Sequence, residues 1–104
     1  MPCSGLHALV ERLEALAPSQ VTTRAVQERM ASVSIDEREI ARYVTPRADH
    51  YARQLVHRSP RFDVVVLTWM PGQMTPIHNH AGNLGWVQLV QGRIVEDRYM
   101  LVPS

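Results

Sequence analysis

Residues 71–92 read Pro71-Gly72-Gln73-Met74-Thr75-Pro76-Ile77-His78-Asn79-His80-Ala81-Gly82-Asn83-Leu84-Gly85-Trp86, then Val87 to Gly92. His78 and His80 stand two apart, so on an extended strand both side chains point to the same side. Two imidazoles on one face can chelate one divalent metal, and imidazole suits zinc, copper, iron and nickel. A His-x-His pair alone is a weak signal, because histidine pairs on strands are often plain surface. The frame around it is more specific: Gly72, five residues, His78-x-His80, four residues, Gly85, six residues, Gly92. Pro71-Gly72 and Gln91-Gly92 are turn signals of the kind that bound strands.

The reading extends outward from there. Phe62 to Trp69 contains Val64, Val65, Val66 and Leu67, a β-branched run too short for a helix and suited to a strand covered on both faces. Tyr51 to His57 alternates as a half-buried strand does. Leu84 to Val90 and Arg93 to Leu101 are two further strand candidates. Short strands with turns between them predict an antiparallel barrel or sandwich. Upstream of about residue 50 the apolar period becomes helical. Leu6, Leu9, Val10, Leu13 and Leu16 form one stripe that Pro18 ends, with Ser4 as its N-cap. Thr22 or Thr23 caps a second helix with Val26, Met30 and Val33 on its inner face. A short third helix starts near Asp36, buries Ile40, Tyr43 and Val44, and breaks at Pro46. The fold class is therefore mainly β with N-terminal helices. Residues 1–50 form a helical segment and residues 51–104 the strand region of one domain.

Composition excludes several classes. The 104 residues are 45% hydrophobic and 20% charged, which is ordinary globular usage. Eleven arginines against ten acidic residues leave a formal charge of +1, with no electrostatic case for nucleic acid or a membrane surface. Cys3 is the only cysteine, so neither an internal disulfide nor a thiolate zinc site can form. No run approaches the roughly 18 apolar residues that span a bilayer, and the N-terminus lacks a signal-peptide pattern. A cytoplasmic protein is the expectation.

The glycine-framed His-x-His segment resembles the first motif of the cupin superfamily, a jelly-roll barrel. That motif usually carries an acidic ligand where this chain has Gly85. The departure is shared with thiol dioxygenases of the cysteine dioxygenase family, and the bacterial members commonly have glycine there. The resemblance runs over roughly residues 35–100. It rests on Tyr51-Ala52-Arg53-Gln54-Leu55-Val56, Phe62 to Trp69, Pro71-Gly72-Gln73, Ile77 to His80 and Gln91-Gly92. It implies a cupin barrel, Fe(II) as cofactor, and L-cysteine and O₂ as small-molecule partners, with cysteine sulfinate as product. It matches His78 and His80 to two of three histidine ligands, and Arg53 to the arginine that holds the substrate carboxylate. A guanidinium suits that task because it is always charged and bonds a carboxylate bidentately. Mercaptopropionate-type relatives tend to carry Gln at the Arg53 position, so arginine favours cysteine. Tyr51 matches a tyrosine at the pocket wall. Gly85 offers no sulfur for the Cys-Tyr cross-link of animal enzymes.

The family pattern also contains a third histidine and a catalytic tyrosine downstream. The five histidines here are His7, His50, His57, His78 and His80, with none after His80. The expectation is an incomplete barrel, an N-terminal portion or truncated copy of such an enzyme. Its uncovered strands would promote self-association, and it would be nearly inactive alone. A non-catalytic cupin that binds a metal or small ligand is the competing reading.

Overall fold

The computed structural model describes residues 5–75, 85–98 and 102. Helix α1 (Gly5–Glu14) carries the leucine stripe, burying Leu6 and Leu9, and Leu16 follows as a buried residue just beyond it. Pro18 ends the helical path by opening a short 3₁₀ turn, Pro18–Gln20. Helix α2 (Thr23–Ala31) starts as expected: the Thr22 hydroxyl accepts the Ala25 N–H at 3.0 Å, and Val26 is buried. Its far end is held by α1, because Arg12 Nη1 donates to the Ser32 carbonyl at 2.8 Å, supplying a cation where the helix exposes carbonyls. The Asp36 side chain caps the one-turn helix α3 (Glu37–Ile40), taking the Arg38 N–H at 2.6 Å, while Glu39 reaches back to the Asp36 N–H. Ile40 is buried and Tyr43 half-buried, but Val44 is exposed, which corrects its expected burial. The Ser4 cap lies outside the described residues. No described helix is long and apolar enough to cross a membrane.

Strands β1 (Ala52–Arg58) and β2 (Asp63–Thr68) pair antiparallel, with Ala52 opposite Thr68 and Arg58 opposite Asp63. The register slips between Leu55 and His57, leaving Val56 as a bulge. Arg53 and Leu55 face Leu67 and Val65 across the pair, whereas His57 beyond the bulge pairs with Val64 on the opposite face. The bulge thus turns an odd-numbered residue to the side occupied by Ala52, Gln54 and Val66. Ala52 is buried there, while Leu55 and Leu67 remain 45% and 46% exposed. The expectation that Val64–Leu67 is covered on both faces is therefore corrected.

The mainly-β expectation is corrected as well. Among the described residues helix exceeds strand, and the architecture is a group of N-terminal helices with a two-stranded antiparallel sheet. Residues 85–98 form no strand, and Gly92 (φ +88°) sits in a bend instead of a hairpin turn. A period-two pattern sets which side a residue would face, but a strand exists only where a neighbour pairs its N–H and C=O groups. Residues 85–98 have no backbone-to-backbone bonds among the described residues. Among the described residues a hydrogen bond ties them to the helices: Trp86 Nε1 donates to the Thr23 carbonyl at 3.3 Å.

The helices dock on the hairpin through polar groups at its tip. Arg61, in the β1–β2 turn, donates to the Glu14 carbonyl at 3.0 Å and to the Leu16 carbonyl, which satisfies the open C-terminus of α1. His57 Nε2 lies 3.1 Å from Glu14 Oε1, and Phe62 stands against the same imidazole with ring centroids 5.6 Å apart. Hydrogen bonds from Ser59 and then His57 hold the Glu14 carboxyl below the usual carboxylate range. A depressed carboxyl stabilises the fold at pH above its unfolded value and loses that contribution as pH falls through its folded value. Glu14→Gln is accordingly expected to flatten the fall in urea midpoint between about pH 6 and about pH 3. An acid limb as steep as that of wild type would count against this contact.

Candidate functional site

Arg53 is the second residue of β1, and Tyr51 immediately precedes the strand, so the extended backbone presents both toward one side. A cavity of about 410 Å³ opens along this stretch and is lined by Thr45, Arg47, His50, Tyr51, Arg53 and Gln54. The two residues expected at the substrate pocket thus border the same space. The Tyr51 ring is set edge-on to Trp69, with centroids 5.8 Å apart and planes at 83°, a favourable aromatic geometry that fixes the tyrosine's orientation.

Charge in the cavity is unevenly committed. Arg47 pairs with Asp49 through both Nε and Nη2 at 3.3 Å, and this guanidinium holds the Asp49 carboxyl below its ordinary range. His50 donates from Nδ1 to the Tyr51 carbonyl and turns Nε2 toward Asp49 at 3.5 Å. Neighbouring carboxylates have closer partners than Arg53. Asp63 is gripped by Arg58 at 3.1 and 3.3 Å, and Glu96 pairs with Arg98 at 3.3 Å. The Arg58 contact is the main reason that the Asp63 carboxyl sits low, with Arg53 contributing a weaker attraction. Among the described residues the Arg53 side chain makes no hydrogen bond or close ion pair, so an exposed residue bordering the cavity keeps an uncommitted guanidinium. That suits a ligand with a single carboxylate.

The remaining expected residues are not brought into this geometry. His78 and His80 lie outside the described residues. Among the described residues no group of three histidine, cysteine or carboxylate side chains is arranged to hold a metal ion. His7 pairs with Glu11 at 3.0 Å, His50 with Asp49 and His57 with Glu14, so each of these histidines is locally bonded to a carboxylate. Fe(II) would fit the donor chemistry of two imidazoles two residues apart, as His78 and His80 are in sequence.

Sequence reasoning overlooked Arg47 and Thr45 in this wall, and Gln73, which bonds to it. Thr45 N–H donates to Thr68 Oγ1 at 3.1 Å, and Gln73 Nε2 donates to the Arg47 carbonyl. These bonds span 23 and 26 residues, so no local pattern could have pointed to them.

The cysteine dioxygenase type I family model matches residues 3–102, nearly the whole chain. The chain belongs to that family. No solved structure matches it.

Proposed function

We propose that this member of the cysteine dioxygenase type I family binds L-cysteine by its carboxylate at Arg53 and serves its oxidation to cysteine sulfinate. The thiol takes up both atoms of one O₂ in that conversion. The observation that carries this reading is the uncommitted Arg53 guanidinium, sharing one cavity with Tyr51. Arg53 would take the carboxylate as a two-pronged, charge-assisted contact. Tyr51, braced by Trp69, would close one side and limit the poses of the amino acid. His78 and His80 would hold Fe(II), which when bound supplies redox activation of the thiol and O₂.

Binding is tested by titrating L-cysteine under argon into the Fe(II)-loaded chain. Replacing a charge-assisted contact at an exposed site should weaken binding about tenfold in Arg53→Gln. Equal affinity of wild type and Arg53→Gln would remove the carboxylate assignment. Admission of oxygen then separates two outcomes. Sulfinate formation supports oxidation. Binding without oxygen uptake supports a non-catalytic cupin.

A further inference from the structure

We propose that Gln73 is a positioning residue for the Arg53 cavity, tying the wall that carries Arg47 and His50 to the turn after β2. The inference rests on the carboxylate reading of Arg53. The turn itself follows from its residues. Pro71 presets φ, Gly72 adopts φ +85°, and Gln73 N–H closes back on the Met70 carbonyl at 3.1 Å, the arrangement of a type II turn. The Gln73 side chain adds a bond that the turn does not need. Its Oε1 accepts the Met70 N–H at 2.8 Å, which fixes the amide plane and directs Nε2 to donate to the Arg47 carbonyl.

The opposing wall depends on that donor. From Val44 to Tyr51 the chain has no regular structure, so no ladder of backbone bonds holds it. Among the described residues its hydrogen bonds to the hairpin region are the Thr45–Thr68 bond at one end and the Gln73–Arg47 bond in the middle, and the Tyr51 ring meets Trp69 at the other end. Asp49 links Arg47 and His50 to each other but anchors neither to the sheet. Without Gln73, Arg47 and its Asp49 partner would be free to move relative to Arg53. The Asp49 carboxylate could then approach Arg53 and compete with a bound carboxylate.

The test uses the full chain and L-alanine, which carries the carboxylate without a thiol, titrated by nuclear magnetic resonance. Saturable shifts at Arg53, lost in Arg53→Gln, are expected for wild type. Gln73→Met, neutral and nearly isosteric, should weaken alanine binding about tenfold, since it removes one wall bond and frees several residues. In the ligand-free variant the Arg47–His50 amide signals should move while those of α1 stay in place. The melting temperature should be unchanged. Wild-type affinity in Gln73→Met overturns the inference alone. So does a loss of affinity accompanied by displaced α1 signals or a lower melting temperature, which marks a folding defect. Absence of alanine binding by wild type, or equal binding by Arg53→Gln, overturns the carboxylate reading and the inference with it.

Discussion

Iron content after gel filtration is expected to fall below about a tenth of wild type in both His78→Ala and His80→Ala, and to be unchanged in His57→Ala. Two imidazoles at i and i+2 on a strand would act as a chelate, so removing one would sacrifice both a ligand bond and the proximity that held the second. A loss of about 3 kcal/mol in metal affinity, roughly a hundredfold, is the scale anticipated for one ligand of a small set. Rescue by another described histidine would require breaking an existing contact. His57 Nε2 is engaged with Glu14 at 3.1 Å, and His50 lies between the Tyr51 carbonyl and Asp49. Elemental analysis of the three variants decides the matter, and equal iron in wild type and either His78→Ala or His80→Ala would overturn the ligand assignment.

The parts of the fold that were legible in sequence are those whose causes are local. The stripe of Leu6, Leu9 and Leu16, a threonine cap at Thr22 or Thr23 and a helix start near Asp36 need only local neighbours, and the structure puts the caps at Thr22 and Asp36. β1 and β2 were legible for a similar reason, since Val64 to Val66 suit no other short element. Residues 85–98 show the limit of that reasoning, because their alternation is real but pairing is a property of two segments. The Val56 bulge was hidden in the same way. Nothing in Leu55-Val56-His57 says that two residues must oppose one, yet the slip carries His57 across the sheet to Glu14 on α1. Of the residues that border the cavity, Tyr51 and Arg53 could be singled out in sequence because their types and spacing match a known pattern. Gln73 could not, since its importance lies in a carbonyl 26 residues away.

Gly5 carries the largest stability effect anticipated in the helical half, and it too was silent in sequence. It opens α1, where free N–H groups need partners. Its own N–H donates to Glu39 Oε1 at 2.8 Å, while Glu39 Oε2 takes the Asp36 N–H at 3.2 Å, so one carboxylate joins the starts of α1 and α3. That junction brings the backbone of Ser34 against Gly5. A Cβ added there would lie 1.9 Å from the Ser34 carbonyl oxygen and 2.7 Å from its carbon. Two effects oppose each other in Gly5→Ala. Alanine favours a helix over glycine by about 1 kcal/mol. The overlap is with main chain, which no rotamer can relieve, so α1 or the Ser34 segment must move and the Glu39 bridge must open. Overpacking of this kind costs about 3 kcal/mol at the upper end of its usual range, and it outweighs the propensity gain. A net loss of about 2 kcal/mol corresponds to a fall in melting temperature of roughly 8–16 °C for a domain near this size. Gly85→Ala is the matched control, because a Cβ there meets nothing within 4 Å and the same exchange should leave the melting temperature unchanged. Equal melting temperatures for Gly5→Ala and wild type would show that α1 does not approach Ser34 as described.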